Sequence, residues 1–445
     1  MTDSPANPFD IRHNPVPTGR MARFTRLGGL ATGLAGRAAM GRARAALRGE
    51  PADMASVMLT PSNLSRIAER LSEMRGAVMK LGQLLSMETG DLLPPELEHI
   101  LARLRSEADI MPPAQLKSVL TGAYGPSFRA QFKSFDTRPL AAASIGQVHR
   151  ATAKDGMRLA IKLQYPGIRA SIDSDLNNAA ALIRWSGLWP KELDLGPLME
   201  EARRQLHEEA DYAREGRYLA RFGALLQQDA RFIVPTYRAD LSTPDALAMG
   251  FEPASPIETL QEAAPATRDA ALEALIELCL AELFEFGVMQ TDPNFANYRW
   301  RPETEQLVLL DFGAARDIPD DLAEGHRRLL RAGLDGARSD IYAALEEIGF
   351  IKPGLSKAHQ TALLDMAEMG FSALRGPDRF DFATTTLADE LRTRGQVIGQ
   401  DRELWHIPPA DTLFLQRKIG GLYLLATRIG ARVDLPALAR RFANA

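Results

Sequence analysis

Cysteine is all but absent. Cys279 stands alone in 445 residues, so no internal disulfide can form, and a reducing compartment suits the chain. The seven histidines are scattered, and none pairs with another at metal-ligand spacing. Charge of one sign does not dominate. Lys and Arg number 53 against 57 Asp and Glu, and the formal net charge of −4 argues against a general nucleic-acid binder. Long hydrophobic runs are also missing. Leu27–Gly36 is ten residues without a charge, whereas a membrane span needs about twenty. Ile419–Thr427 is shorter still, so no transmembrane helix is expected. The first twenty residues are rich in Pro and Asn and carry no apolar run, so a secretory leader is not expected either.

What is present is a 45% hydrophobic composition, enough for a large buried core. Pro5, Pro8, Pro15 and Pro17 mark a flexible tail. From Gly19 to Arg48 the seven arginines Arg20, Arg23, Arg26, Arg37, Arg42, Arg44 and Arg48 alternate with small and apolar residues, and no acid appears before Glu50. This pattern predicts a basic, partly amphipathic helix suited to an anionic membrane surface, with a disordered basic arm as the plainer alternative. Residues 61–108 read as helical. The period changes toward strands over Ser134–Leu163, with a turn at Lys154-Asp155-Gly156. A long helical stretch is expected over 194–227, strands at 231–235 and 246–252, and a helix over 266–287. Two short strands, Tyr298–Arg301 and Leu307–Leu310, follow, and the remainder from about 319 to 442 is mostly helical. Strands mixed with helices and then helices alone imply an α+β, two-lobed fold, with a small sheet-containing lobe and a larger helical one.

The strongest chemical signal lies between 288 and 316. Asp292 and Asn297 are five apart, and Leu310-Asp311-Phe312-Gly313 follows across the two short strands. A protein kinase needs an aspartate facing the attacking group, an asparagine five residues on, and a DFG aspartate for the metal. Asn297 and Asp311 supply the hard oxygens Mg²⁺ prefers, and Asp292 takes the catalytic position. Asp-Phe-Gly alone would read as a turn; the combined spacing does not. Upstream, Leu159-Ala160-Ile161-Lys162-Leu163 places Lys162 on an apolar strand, where it would grip ATP phosphates, although such a lysine alone would more simply snorkel to the surface. Glu208-Glu209-Ala210-Asp211-Tyr212-Ala213-Arg214-Glu215 offers acidic partners for it, or else a solvated acidic face. In place of a Gly-rich phosphate loop the chain has Ala141-Ala142-Ala143-Ser144-Ile145-Gly146-Gln147-Val148-His149, which allows less backbone freedom over the phosphates. There is no Ala-Pro-Glu, and helical pattern resumes soon after Arg316, leaving no long activation loop.

Together with Lys80-Leu81-Gly82-Gln83, Glu209–Asp211 and Thr291–Asn297, these residues resemble the ADCK/UbiB family of atypical kinases, which serve ubiquinone biosynthesis. The resemblance covers roughly residues 20–440, nearly the whole chain. It implies Mg²⁺ and ATP as cofactors and a helix bearing Lys80 and Gln83 over the active site. It implies that Lys80 pairs with Glu209 or Asp211, that Glu215 holds Lys162, and that Ala141, Ala142, Ala143 and Ser144, with Met249 and Phe251, contact the nucleotide. Its expected organisation is a tail at 1–19, a membrane-surface helix at 20–50, a helical extension at 51–125, a kinase-like N-lobe at 126–253 and a C-lobe at 254–445. Gly250 stands where relatives usually carry an acid, and Gln290-Thr291 stands where ordinary kinases have His-Arg.

The resemblance implies a regulatory ATPase or atypical kinase attached peripherally to the cytoplasmic side of a membrane. Its expected partners are anionic lipid and quinone-pathway intermediates or enzymes, with a homodimer as a further expectation. A true phosphotransferase acting on a protein or small molecule, and a non-catalytic scaffold, are the competing readings.

Overall fold

The computed structural model describes residues 74, 76–78, 80–82, 110–186, 196–352, 354–376, 379–399 and 410–444. The expected tail at 1–19, the basic helix at 20–50, most of the extension at 51–125, and Gln83 lie outside the described residues. The chain divides into two compact units, 1–216 with 237–251 and 217–236 with 252–445.

The first unit is built on a four-stranded antiparallel sheet. Helix α1 (Pro113–Tyr124) precedes strands β1 (Phe132–Ala142), β2 (Gly146–Ala153) and β3 (Arg158–Gln164). Helices α2 (Ile168–Ser186), α3 (Gly196–Glu209) and the start of α4 (Tyr212–Leu225) follow, and β4 (Ala246–Gly250) completes the order β1-β2-β3-β4. Strand alternation decides where each side chain goes. Leu159, Ile161 and Leu163 pack with Leu116, Val119 and Leu120 of α1. Residues of the opposite parity, Lys162 and Gln164, therefore face the other way. There Leu247 joins a second core containing Ile172, Leu176, Leu206 and Tyr212.

Three sequence expectations change here. The stretch 194–227 is not one helix: it breaks at Ala210-Asp211. The Asp211 carboxylate accepts from the Arg214 amide at 2.9 Å, satisfying an otherwise orphaned donor at the start of α4. Helix α2 was not among the expected elements, although Ile168, Ile172, Leu176 and Ile183 form an apolar stripe at helical spacing. The alanine segment is mostly strand: Ala141 pairs with Val148 and Ala142 with Gln147, so only Ala143, Ser144 and Ile145 form the connection. The Ala143 amide donates to the Gly146 carbonyl at 2.8 Å and closes this turn. A Cβ at Gly146 would lie 2.1 Å from the Leu163 carbonyl oxygen, so only glycine lets β2 and β3 approach here.

In the second unit, α5 (Pro265–Phe284) begins with the proline favoured in a first turn. It ends before Gly287, which takes φ +58° and turns the chain into β5 (Val288–Gln290). Strands β6 (Tyr298–Arg301) and β7 (Gln306–Leu309) form the expected hairpin. β8 (Ala315–Asp317) returns to pair with β5, matching Ala315 with Gln290. Helices α6 (Asp320–Asp335), α7 (Arg338–Glu347), α8 (Lys357–Arg375), α9 (Leu387–Gly399), α10 (Ala410–Ile429) and α11 (Leu435–Asn444) make up the helical remainder. A short strand pair, Phe380–Asp381 with Arg432–Val433, lies within this stretch, which is mostly helical as expected. Among the described residues no helix is long and apolar enough to cross a membrane.

Candidate functional site

Lys162 sits in the middle of β3, opposite Val148 on one side and Leu247 on the other. Its ammonium donates to both Glu215 carboxylate oxygens at 3.0 Å. Both residues are buried, at 7% and 2% exposure. The Tyr212 ring lies 5.5 Å from the same ammonium. The break at Ala210-Asp211 lets α4 start afresh, with Glu215 in its first turn. Gln164, two residues along the strand, donates to the Ala210 carbonyl at 2.6 Å and ties β3 to that break.

The open choice of partner for Lys80 falls on Glu209. Lys80 Nζ lies 2.5 Å from Glu209 Oε1, and Ser144 Oγ donates to Glu209 Oε2 at 2.9 Å. Asp211 acts as a helix cap instead. The turn that carries Lys80 meets the same connection: a Cβ at Gly76 would be 3.2 Å from the Ser144 carbonyl oxygen. Of the other expected nucleotide contacts, Ala141 and Ala142 are exposed strand residues, and Ala143 is half-buried. Met249 pairs with Ala160. The Phe251 amide donates to the Arg158 carbonyl at 2.9 Å, and its ring lies 4.9 Å from the Arg150 guanidinium. The amide of Phe251 is thus engaged with the sheet.

In the second unit the short local spacing read from the sequence becomes a stitched pair of loops. Asn294 accepts from the Ala296 amide and starts a single 3₁₀ turn that ends at Asn297. The Asn297 side-chain amide donates to Asp292 Oδ2 at 3.0 Å, which leaves its carbonyl oxygen as the atom able to meet a cation. Across the β6–β7 hairpin the Leu310 amide donates to the Asn297 carbonyl at 2.8 Å, so Asn297 and Asp311 sit at the two ends of one hairpin. The Thr291 hydroxyl donates to the Ala314 carbonyl at 2.8 Å. Asp311 has φ +59°, a left-handed conformation uncommon outside glycine, and its carboxylate accepts from the Gly313 amide at 3.1 Å. Phe312 is buried against Phe222, ring centroids 4.8 Å apart. The Asp311 carboxylate and the Asn297 amide oxygen match what Mg²⁺ takes from protein when phosphate and water complete its shell.

Two buried charges escaped the sequence reading. Glu282 on α5 and Lys418 on α10 are each 2% exposed in their side chains and lie 3.2 Å apart. For Glu282 the signal was a lone charge within the apolar run Leu280–Phe284; Lys418 follows Gln416 and Arg417, and nothing in that stretch singles it out. Cys279, one residue of the same neighbourhood, is buried, and burial pushes its thiol up to about 12, so it stays a neutral core side chain.

A strand lysine held by a helix glutamate and an Asp/Asn/DFG hairpin define a protein-kinase-like fold. The ABC1 atypical kinase-like domain matches residues 103–344, and the chain belongs to that family. It is 37% identical to the mitochondrial atypical kinase COQ8 of Saccharomyces cerevisiae, over 96% of this chain and 85% of the yeast protein. It is 34% identical to the mitochondrial atypical kinase COQ8B of Rattus norvegicus, over 95% of this chain and 80% of the rat protein. Among solved structures it is similar to the Rv3197–erythromycin complex from Mycobacterium tuberculosis, with a TM-score of 0.60 and 23% identity, covering 84% of this chain and 93% of that one.

Proposed function

We propose that this chain binds ATP with Mg²⁺ and works as an atypical kinase-like ATPase that assists ubiquinone biosynthesis at a membrane surface. The observation that carries the reading is the hairpin that places Asn297 and Asp311 at its two ends with Asp292 bonded to Asn297. Asn297 and Asp311 would hold Mg²⁺, which neutralises charge on the transferring phosphate when bound. Lys162, kept in one orientation by the two hydrogen bonds it donates to Glu215, would meet the phosphates. Asp292 would orient the attacking water or hydroxyl, its own orientation set by Asn297. Ser144 and the alanine connection would meet the nucleotide, with Lys80 and Glu209 regulating access through their ion pair.

Hydrolysis is favoured over transfer to a protein because α6 begins at Asp320, seven residues after Gly313. That interval leaves little chain on which a peptide could dock. The ubiquinone link rests on the family and on the named COQ8 relatives.

The test is ATP hydrolysis by purified full-length chain in Mg²⁺, with and without anionic vesicles and a soluble phenol resembling a quinone precursor. The expected result is magnesium-dependent hydrolysis that rises with vesicles or phenol. A chain that neither binds nor hydrolyses ATP in any of these conditions overturns the reading. For the membrane part, deletion of the arginine-rich residues 20–48 is expected to lower binding to anionic vesicles. Binding by the intact chain should fall as salt rises past about 0.1 M, where the screening length drops to about 10 Å. Equal binding by the truncated chain removes the arginines from the proposal.

A further inference from the structure

Three residues on one face of α10, spaced i, i+4 and i+7, meet β8, the end of β5 and Pro293, beside the two loops that carry the proposed metal-site residues. The Phe414 ring lies 3.8 Å from the Arg316 guanidinium, just beyond the DFG segment. Lys418 Nζ donates to Gln290 Oε1 at 3.4 Å, two residues before Asp292. A Cβ at Gly421 would sit 2.2 Å from the Pro293 Cβ, so the glycine lets the helix backbone lie directly against the residue after Asp292. Gln290 then reaches across: its side-chain NH₂ donates to the Asp311 carbonyl at 3.2 Å.

The order of donors and acceptors in this chain is constrained. An ammonium group only donates, so Gln290 must turn its oxygen toward Lys418, and its NH₂ is thereby aimed at the Asp311 carbonyl. Were the amide reversed, its oxygen would face that carbonyl oxygen and the bond would be lost. Glu282 keeps the lysine charged: burial opposes the charge, but the carboxylate 3.2 Å away holds Lys418 above the usual lysine range. Burial pushes Glu282 up in turn, and Lys418 and the backbone of Gln290 oppose that rise. The group so restrained is the backbone of Asp311, which carries the left-handed φ of +59°.

We propose that Lys418, paired with Glu282, is a positioning residue: by fixing the orientation of the Gln290 amide it holds the Asp311 backbone so that the carboxylate meets Mg²⁺. This rests on the reading of Asp311 as a magnesium ligand. In this role Lys418 acts on Asp311 through Gln290; its ammonium also lies 5.5 Å from the ring of Tyr298, next to Asn297.

The test uses full-length chain with Lys418→Met and Gln290→Leu, singly and together, and reads the affinity for a fluorescent ATP analogue across a Mg²⁺ titration, alongside thermal unfolding. The expected result is an unchanged affinity without Mg²⁺ and a rise of about tenfold or more in the Mg²⁺ concentration needed for half the effect, the size usual when a partner orienting a metal ligand is lost. Because both changes break one chain of contacts, the double variant should shift no further than the larger single one. Should Lys418→Met fail to fold, Gln290→Leu, which leaves the Lys418–Glu282 pair in place, carries the test alone. A lowered unfolding temperature with an unmoved Mg²⁺ midpoint means a merely structural role and overturns the proposal. Asp311→Asn runs beside them as a control. If it also leaves the Mg²⁺ effect intact, the metal-site reading itself has failed; if it removes the effect while Gln290→Leu does not, only the positioning role has failed.

Discussion

Asp311→Asn is expected to leave the fold in place and to remove the effect of Mg²⁺ on nucleotide binding, with hydrolysis falling about 100-fold or more. The backbone explains why asparagine is the informative replacement. Asp311 has φ +59°, a region that Asn and Asp tolerate better than other non-glycine residues. The carboxylate also accepts from the Gly313 amide at 3.1 Å, and an asparagine oxygen can keep that bond. Shape, backbone and the bond from Gly313 can therefore survive, while the negative charge is lost and one carboxylate oxygen gives way to an NH₂ that cannot ligate a cation. Mg²⁺ takes hard oxygens, and beside the neutral Asn297 amide oxygen Asp311 is the ligand that would supply negative charge; a bound metal contributes several kcal/mol to a phosphoryl transition state. A loss of about 3 kcal/mol corresponds to roughly a hundredfold in rate.

Asp311→Ala would confound the result, because alanine loses the Gly313 bond and resists the left-handed backbone. The checks are nucleotide affinity with and without Mg²⁺, single-turnover hydrolysis, and thermal unfolding to show that the variant is folded. Unchanged magnesium-dependent affinity in a folded Asp311→Asn protein would reject Asp311 as a ligand and with it the metal half of the proposed site.

The hairpin that carries this site was legible in the sequence because its chemistry is local. Asp292, Asn297 and Asp311 fall within twenty residues, and two β-rich segments around a polar turn fix their relation before any tertiary packing. Lys162 was legible as a strand lysine for the same reason. Its partner was not, since Glu215 lies 53 residues away among several other acids, and only the family resemblance selected it. The helix break beside it was missed because Asp211 has Arg214, not Glu or Gln, three residues on, so no capping box announces the new start. Alanines misled in another way. They carry no polarity pattern, and Ala141 and Ala142 are exposed on a strand where nothing in the sequence separates strand from loop. The Gln290–Lys418 contact spans 128 residues and depends on how α10 lies against the segment that leads to Asp292. Lys418 stands beside Gln416 and Arg417, so the sequence does not mark it as the buried member of that stretch.

Breaking the Lys162–Glu215 pair should separate two roles that the structure joins. Glu215→Leu is expected to lower the unfolding free energy by about 3–5 kcal/mol, because it leaves a buried ammonium without its carboxylate. Lys162→Met should also destabilise, since it strands the Glu215 charge at 2% exposure. Replacing both together removes two buried charges and fills the space with apolar groups of similar length. Such replacements are often neutral, so the double variant should recover most of the lost stability. Leu206, Tyr212 and Leu247 already line that side of the sheet, which gives the new methionine and leucine apolar neighbours. Nucleotide binding should not recover with stability. The cation proposed to meet the phosphates is gone in Lys162→Met and in the double variant alike, and a methionine cannot replace a donor to phosphate. Chemical unfolding measures the first effect and ATP-analogue affinity the second. A double variant as unstable as Glu215→Leu would mean that the loss comes from packing and not from the unpaired charge. A double variant that binds ATP as tightly as the unaltered chain would remove Lys162 from the phosphate site, whatever its stability.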